Sequence, residues 1–332
     1  MSGDATANST AIIGAGVAGL TCAQHLAGAG YAVTVFEKSR GVSGRLSTRR
    51  VEGGLAFDHG AQYFTARDPR FINRVTQWRK AGVAAEWTGR IATLNQGVST
   101  VKQDNKTRLV GTPDMPAVCR HMAGELDVKL KTRVTSLKRE ASRWQVHCDG
   151  GGAEDFDRVL LAIPAPQASE LLGEAPGLRD QVLPVTMQSC WAVMAAFEQP
   201  VDVPLDGAFV EASPLSWIAR NSSKPGRPSS TDAWVLHGSH EWSEANLEIE
   251  PQEAKQRLLD AFWQSTGAAP RTPAYATAHR WRYAIPPAPL GERALYDPAL
   301  GIGVAGDWCG GPRVEGAFLS GLALAEAVTG AA

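Results

Sequence analysis

Three glycines near the N-terminus have the spacing that lets a backbone bind a dinucleotide. The segment GAGVAG places Gly14, Gly16 and Gly19 between an apolar run and a helix-forming run. The first glycine permits a tight turn, the second lets the backbone approach a pyrophosphate, and the third lets the helix pack on the strand. Glu37 ends the next apolar run, where its carboxylate could accept hydrogen bonds from adenosine ribose hydroxyls. These residues predict a dinucleotide site, with a glycine-rich turn and an exposed glutamate as the alternative.

A loop rich in glycine and arginine follows that glutamate. The segment SRGVSGRLSTRR contains Gly41, Gly44 and Arg45. An arginine there could add charge-assisted hydrogen bonds to a pyrophosphate that the helix N-terminus already meets. We therefore assign Arg45 to phosphate binding, whereas Arg49 and Arg50 could equally belong to a solvated basic loop.

A second candidate half-site lies near the C-terminus, in AGDWCGGPRVEGAFLSG. Asp307 follows a predicted strand and could bind ribityl hydroxyls. Free N–H groups at a helix start near Val314 could face the pyrimidine edge of an isoalloxazine, where a helix dipole favours electron uptake. Gly310 and Gly311 would permit the isoalloxazine to approach the helix start closely, and Gly316 would keep that space open. A glycine-rich turn and helix is the alternative, but both half-sites together predict FAD.

Hydrophobic periodicity predicts the elements that must position these residues. A βαβ unit opens the chain at residues 11–13, 17–29 and 31–36. Further helices are predicted at residues 70–81, 113–124 and 314–328, and further strands at residues 128–139, 144–148, 159–163 and 301–305. Proline-broken segments and short tryptophan-rich strands between residues 190 and 283 indicate an antiparallel second domain.

The predicted fold class is therefore α/β, with two domains. A Rossmann-type FAD-binding domain, discontinuous in sequence, accompanies a second α+β substrate domain built on an antiparallel sheet. A chain of 332 residues is long enough for both. We assign residues 1–64, 102–166 and 286–332 to the first domain and residues 65–101 and 167–285 to the second.

Composition excludes several classes of partner. Apolar residues make up 44% of the chain and charged residues 20%, as in ordinary globular proteins. The net charge of -1 provides no basic field for nucleic acid or an anionic membrane, so we expect neither. Five scattered cysteines predict neither a zinc site nor a disulfide framework. The polar opening MSGDATANST predicts no signal peptide, and no apolar run reaches membrane-spanning length, so we expect a cytoplasmic protein.

These segments together resemble the flavin amine oxidase superfamily along nearly the whole chain. Besides GAGVAG, GVSGR, AGDW and RVEGAFLSG, the segments FDHGAQYF, GTPDMPAVCRHMA, TRVTSL and LLAIPAPQA match it in order. The motifs SRGVSGR, GAQYFTARD, RNSSKP and GDWC with RVEGA are most similar to the renalases, especially the bacterial ones. The resemblance implies non-covalent FAD, and the alternative is a covalent link through Cys309. The contacts that the resemblance implies are Ala15, Glu37, Arg45, Gln62, Val134, Asp307, Glu315, Gly316 and Ala317. The further cofactor-binding candidates are Gly14, Gly16, Ala18, Gly19, Lys38, Gly44 and Ala61.

Two departures from the resemblance argue against an amine substrate. Amine-oxidising members carry a lysine on the strand entering the substrate domain, and here its place falls at Ala192 in SCWAVMAAF. They also carry an aromatic cage residue where this chain has Arg313. An arginine there would suit a carbonyl, carboxamide or phosphate oxygen. The alternative is a surface arginine, although its charge opposes the helix dipole.

Further substrate candidates come from strand alternation in YATAHRWRYA. A strand there places His279, Trp281 and Tyr283 on one face and Arg280 and Arg282 on the other. Other residues could complete a pocket for a planar heterocycle, although packed tryptophans and satisfied core histidines are as plausible: Gln62, Trp234, His237 and Asn221. Phosphates could be bound by a third set, which consists of Arg220, Lys224 and Arg227. A solvated loop is the favoured interpretation for Lys224 and Arg227. The catalytic candidates are Arg313, Gln62, His237, Trp281, Tyr283 and Asn221.

The resemblance to renalases implies a specific oxidation. Renalases oxidise dihydropyridine isomers of NADH and NADPH, with the extra hydride at C2 or C6, to NAD+ and NADP+. Dioxygen takes the electrons and becomes hydrogen peroxide. The expected partners are therefore these small molecules and dioxygen, and no metal site is predicted. Two alternatives stay open, a flavin-dependent amine oxidase and a non-catalytic flavin- or NAD-binding protein.

Overall fold

The computed structural model describes residues 9–102, 104 and 106–330. The opening segment predicted to lack a signal peptide lies largely outside these residues, as do positions 103, 105 and 331–332 of the predicted first domain. The strands are β1 (Ser9–Ile13), β2 (Ala32–Glu37), β3 (Thr48–Arg50), β4 (Ala56–Asp58), β5 (Ala84–Glu86), β6 (Ile91–Asn95), β7 (Val98–Val101), β8 (Leu109–Gly111), β9 (Asp127–Leu130), β10 (Val134–Glu140), β11 (Arg143–Cys148), β12 (Ala153–Phe156), β13 (Arg158–Leu161), β14 (Gln188–Phe197), β15 (Gly207–Glu211), β16 (Leu215–Arg220), β17 (Asp232–Gly238), β18 (Tyr275–Ile285), β19 (Ala294–Asp297) and β20 (Ile302–Ala305).

The α-helices are α1 (Val17–Gly28), α2 (Pro69–Lys80), α3 (Ala117–Ala123), α4 (Ala165–Leu171), α5 (Pro176–Val182), α6 (His240–Ala245), α7 (Pro251–Thr266), α8 (Asp307–Gly310) and α9 (Val314–Thr329). Short 3₁₀ turns lie at Glu52–Gly54 and Asn221–Ser223. None of the helices in the described part of the chain combines the length and apolar content needed to cross a bilayer.

One sheet gathers strands from both ends of the chain. Its order is β19-β20-β13-β1-β2-β9, parallel except for the β19–β20 pair. Helices α1 and α9 pack closely because small residues lie at their contact: a Cβ atom on Gly321 would lie 2.1 Å from the carbonyl oxygen of Ala18. This is the predicted discontinuous Rossmann-like unit.

A second sheet has the order β18-β14-β17-β16-β15-β6-β7. Its neighbours are antiparallel except for the parallel β15–β6 pair. Helix α7 covers one face, with Phe262 packed against Trp234. Strand β14 is buried over nearly its whole length, which explains its continuous apolar sequence. The α/β class with a largely antiparallel second sheet is confirmed, whereas the domain boundaries given above remain a prediction.

Local predictions were mostly confirmed, with two corrections. The predicted strand at residues 128–139 is wrong as one element, because the chain turns at Lys131, whose φ is 56°. Its halves, β9 and β10, join different sheets. The helix predicted from residue 113 begins only at Ala117. Helix α2 buries Phe71, Val75 and Trp78 as expected, and Phe71 contacts Phe318 of α9.

Candidate active site

Four segments meet at one edge of the parallel sheet. Gly14 follows β1, Glu37 ends β2, Ile163 lies just beyond β13, and Asp307 lies just beyond β20. Parallel strands present their carboxyl ends at a common edge, and open α/β sheets bind ligands there. The fold therefore brings both predicted half-sites to the same edge.

The three glycines of GAGVAG have different surroundings. Gly14 has a φ of +106°, and a Cβ atom there would lie 2.5 Å from the carbonyl oxygen of Ala162. A Cβ atom on Gly19 would lie 1.9 Å from the carbonyl oxygen of Gly14. A Cβ atom on Gly16, in contrast, would meet nothing within 4 Å. Gly14 and Gly19 thus serve close packing, and Gly16 faces open space where a phosphate could approach.

The start of α1 is suited to an anion. Its N-cap, Gly16, offers no side-chain cap, and no acidic residue lies in the first turn. The N–H groups of this turn, including that of buried Ala18, have no partner within the helix and carry its positive dipole end. A diphosphate would satisfy them.

Glu37 is buried, and each of its carboxylate oxygens accepts one backbone hydrogen bond. Oε2 accepts from the N–H of Ala15 at 3.0 Å, and Oε1 accepts from the N–H of Ser39 at 2.8 Å. Each oxygen has a second lone pair, so capacity for ribose hydroxyls remains. Lys38 is exposed beside it, and Val134 is buried at the start of β10.

Arg45 and Asp307, assigned separately to pyrophosphate and ribityl groups, form a bidentate ion pair. The two nitrogen–oxygen distances are 2.9 and 2.6 Å, and Nη1 of Arg45 also donates to the carbonyl oxygen of Ala284 at 2.9 Å. The backbone of Arg45 is covered by Gly60 and accepts a hydrogen bond from Ala61. The structure thus joins residues 45, 61 and 307. Gly44 has a φ of +54°, and a Cβ atom there would lie 3.5 Å from the α-carbon of Gly16.

At the start of α9, Arg313 is the N-cap, and its side chain is exposed. It makes no ion pair or side-chain hydrogen bond with the residues the structure describes. Glu315 is buried, with Oε1 accepting from two backbone N–H groups of residues 67 and 68 at 2.7 Å each. The open space expected at Gly316 is not found: a Cβ atom there would lie 2.0 Å from the carbonyl oxygen of Gly311, so Gly316 serves close packing, and its contact with the cofactor stays a prediction. The N–H of Ala317 donates to the carbonyl of Arg313.

On the second sheet, Ala192, near which the resemblance predicts the lysine of amine oxidases, is flanked by two histidines. Ala192 of β14 pairs with His237 of β17 on one side and His279 of β18 on the other. His59, after β4, completes what we call the histidine cluster: His59, His237 and His279. The carbonyl oxygen of His59 accepts hydrogen bonds from His237 Nε2 at 3.1 Å and from Trp281 Nε1 at 3.0 Å. Its ring stacks on Trp281 with a centroid distance of 5.1 Å.

Burial keeps these three imidazoles neutral. It lowers the pKa of His59 to about 3 and the pKa values of His237 and His279 to about 4. Nδ1 of His59 is buried and has no hydrogen-bond partner among the described residues. The cluster is therefore an uncharged polar surface beside Trp281, and an imidazole with such a low pKa is a weak base at neutral pH.

The predicted solvated loop at Lys224 and Arg227 is wrong, because both residues are buried. They surround Asp58 in what we call the Asp58 cluster: Asp58, Gln62, Asn221, Lys224 and Arg227. Arg227 Nη2 lies 2.6 Å from Asp58 Oδ2, and Lys224 Nζ lies 3.4 Å from the same oxygen. Lys224 also donates to Gln62 Oε1 at 3.1 Å and Asn221 Oδ1 at 3.3 Å. Sequence separations of 166 and 169 residues explain why sequence reasoning missed this cluster.

Charge in the Asp58 cluster is set by burial and pairing. Burial lowers the pKa of Lys224 to about 8, although Asp58 opposes this shift. Burial alone would raise the pKa of Asp58, but the two cations and a hydrogen bond from Thr48 lower it overall. The amide groups of Gln62 and Asn221 are used within the cluster and by the carbonyls of Asp58, Gly60 and Ala56.

Other predicted substrate residues lie elsewhere. Trp234 is a packed core residue, and Arg220 donates to the carbonyls of Val201 and Val203, so neither has the predicted binding role. The alternation in β18 is confirmed, since Arg280 and Arg282 both pair with Glu248. Tyr283 is half-buried two residues beyond Trp281.

Comparisons with known proteins find two family models that match this chain. A family model described as "Flavin containing amine oxidoreductase" matches residues 95–329, and one described as "NAD(P)-binding Rossmann-like domain" matches residues 12–77. The chain belongs to the flavin-containing amine oxidoreductase family. With the Rossmann-like dinucleotide unit, this membership indicates FAD as the cofactor of the oxidoreductase.

Among the relatives of this chain, mouse (Mus musculus) renalase is 24% identical over 290 residues, which cover 82% of this chain and 83% of renalase. Cyclohexylamine oxidase from Brevibacterium oxydans IH-35A has a similar structure, with a TM-score of 0.75, 12% identity, and coverage of 97% of this chain and 99% of that one. A putrescine oxidase bound to putrescine has a TM-score of 0.70 at 16% identity, with the same coverages. These neighbours support the fold.

The residues present fit the family's cofactor. Open space at Gly16, the uncapped N-terminus of α1 and the remaining acceptor capacity of Glu37 suit a diphosphate and a ribose. Burial raises the pKa of the Cys309 thiol to about 12, so it is a poor nucleophile for a covalent flavin link. His59 and Asp58 were missed as site residues although both lie within the quoted motif FDHGAQYF, and Lys224 lies within RNSSKP.

Proposed function

We propose that this flavoprotein oxidises dihydropyridine isomers of NADH and NADPH, those with the extra hydride at C2 or C6, to NAD+ and NADP+. The observation that carries the proposal is the histidine cluster around Ala192. The resemblance described above puts the lysine of amine oxidases at about this position. The renalase-like motifs support the same substrate. One proton and dioxygen are consumed for each substrate, and hydrogen peroxide is the second product.

The neutral cluster suits a substrate that needs no base. A dihydropyridine loses hydride from a ring whose nitrogen is already uncharged, and the product is an aromatic pyridinium. A protonated amine must first lose a proton. Ala192 cannot accept one, and imidazoles with pKa values of about 3 to 4 accept it poorly.

Lys224 does not replace the missing lysine as a base. Its side chain is fully buried and is enclosed by three oxygen acceptors, on Asp58, Gln62 and Asn221, at 3.1 to 3.4 Å. Those contacts position Gln62 and stabilise the buried carboxylate. The role we propose for Lys224 is therefore support of the loop that carries His59.

The remaining residues orient the substrate. The stacked rings of His59 and Trp281 offer an aromatic surface for a planar pyridine. The exposed guanidinium of Arg313 could bind a carboxamide or phosphate oxygen. Bound FAD would supply hydride acceptance and reaction with dioxygen, while the protein supplies orientation and electrostatics.

Anaerobic mixing tests the proposal directly. The holoenzyme is mixed with 2-dihydro-NAD, 6-dihydro-NAD, ordinary 4-dihydro-NAD and benzylamine while flavin absorbance is followed. We expect bleaching by the 2- or 6-isomer and none by benzylamine. Bleaching by the amine alone would establish an amine oxidase, and no bleaching by any compound would favour a non-catalytic binding protein.

The variant Arg313→Tyr tests substrate orientation. We expect it to slow bleaching by the isomers by about a hundredfold, because a misplaced hydride donor reacts poorly. Reoxidation by dioxygen, after reduction by other means, should be unchanged and serves as the control. If the variant keeps the full rate with both isomers, Arg313 is a surface residue without a role in the reaction.

A further inference from the structure

A separate cavity of about 360 Å³ lies between α2 and the segments at residues 65–67 and 106–109. Its lining includes three cationic side chains, Arg67, Arg79 and Lys106, and no acidic residue. Apolar groups of α2 and Leu109 form part of its wall, and Thr65 and Thr107 add hydroxyl groups. The volume falls in the range of small-ligand pockets, about 300 to 1,000 Å³.

The three cations form no close ion pair with any described residue, although the charge of Lys106 helps to lower the pKa of Asp104. Arg70, on the same helix, pairs with Asp68 at 2.8 Å, and Arg108, two residues beyond Lys106, pairs with Asp104 at 2.8 Å. Among the residues that the structure describes, no ion pair or side-chain hydrogen bond involves the charged groups of the cavity. Three cationic side chains thus line one cavity to which no acidic side chain of the described residues contributes.

This cavity is connected to the candidate active site through the backbone. The N–H groups of residues 67 and 68 donate to Glu315, in the first turn of α9 beyond Arg313. Gln62, in the Asp58 cluster, precedes Arg67 by five residues, which span at most about 18 Å even when fully extended. The cavity and the candidate active site are therefore neighbours along this segment of the chain.

We infer that this cavity binds the diphosphate group of the dinucleotide substrate. Arginine presents a planar fork of donors that matches phosphate oxygens, and lysine adds a point charge. As a substrate subsite, this inference rests on the proposed function. The cavity would favour a dinucleotide over a nicotinamide riboside, which carries no phosphate.

The kinetic experiment compares Arg79→Gln with Lys80→Gln. The two substitutions remove the same charge from adjacent positions of α2, but Lys80 does not line the cavity. In Arg79→Gln the half-saturating concentration of the reactive dihydro-NAD isomer should rise about two- to fivefold, as expected for one exposed ion pair. The limiting rate and the half-saturation for the corresponding dihydronicotinamide riboside should not change. The double variant Arg67→Gln/Arg79→Gln should show a larger rise.

These outcomes separate the cavity from the reaction. If the isomers are oxidised but the half-saturation for the dinucleotide is unchanged in the double variant, or rises equally for the riboside, the inference is overturned and the proposed function stands. If no isomer is oxidised, calorimetric titration of the holoenzyme with ADP decides. Binding that is lost in the double variant and kept in Lys80→Gln would retain the cavity as a diphosphate site without the proposed reaction. Absence of ADP binding to the wild type would overturn it.

Discussion

The two sides of the candidate active site are built in different ways. At the edge of the parallel sheet, the candidate cofactor residues lie directly after their strands and are shaped by the backbone: Gly16 leaves open space, and the Glu37 carboxylate accepts two backbone N–H groups. Beneath the second sheet, buried charges and imidazoles from distant segments meet around Asp58 and His59. The cofactor side therefore depends on backbone shape, and the substrate side depends on buried charge.

The largest effect should come from the substrate side, with Asp58→Asn. Removing this carboxylate charge leaves Lys224 and Arg227 buried without a counterion, which costs about 3 to 5 kcal/mol of the free energy of unfolding. Denaturant unfolding of the purified protein measures the loss. The matched control is Glu253→Gln, which breaks an exposed ion pair with Arg257 and should cost at most about 0.5 kcal/mol. Equal losses in both variants would contradict the importance of burial.

This contrast also explains what the sequence could predict. GAGVAG, Glu37 and Asp307 were found because each lies at a strand end in a local pattern, and local patterns are visible in sequence. Lys224 and Arg227 were assigned to a solvated loop because the segment RNSSKPGRPSS is polar. Their burial depends on a carboxylate more than 160 residues away.

The same limit applies to the fold. The βαβ unit, α2 and α9 have clear periodicity and were predicted to within a few residues. The turn at Lys131 falls inside a continuous alternating pattern, so nothing local signalled that β9 and β10 join different sheets. The parallel β15–β6 pair was missed for a similar reason, since β6 comes from a segment more than 100 residues earlier.

On the cofactor side, Gly19→Ala and Gly16→Ala separate packing from binding. The Cβ atom at Gly19 would overlap the carbonyl oxygen of Gly14, so we expect a loss of about 3 kcal/mol in stability, near the upper range for overpacking. Gly16→Ala should keep the stability of the apoprotein, because its Cβ meets no atom within 4 Å, and should weaken FAD binding. Thermal unfolding of apoprotein and fluorescence titration with FAD measure the two effects. A Gly16→Ala protein with normal FAD affinity would remove Gly16 from the site.

A smaller effect is expected for Glu37→Gln, which keeps one carbonyl acceptor and removes the charge. Loss of a charged hydrogen-bonding group costs about 1.5 to 3 kcal/mol, so FAD should bind about tenfold more weakly or worse. The identity of the compound that bleaches the flavin should not change. Equilibrium titration with FAD gives the affinity, and Glu52→Gln, an exposed carboxylate, is the control. Unchanged affinity in a folded Glu37→Gln protein would contradict the assignment.

The last effect is spread over a range of pH and concerns Lys224 and the dependence of stability on pH. Its pKa is about 8 in the folded protein, below the ordinary value of 10.5. Between these two values the unfolded chain holds a proton that the folded protein has lost. The free energy of unfolding should therefore rise with pH across this window, by at most about 1.4 kcal/mol per pH unit, whereas below pH 8 both states are protonated and this slope disappears. In Lys224→Met this contribution should be absent. Because other titrating groups affect both proteins alike, the difference between the two curves isolates it. Denaturant unfolding of both proteins from pH 7 to 10.5 makes the comparison. Parallel curves would mean that burial does not lower the pKa of Lys224.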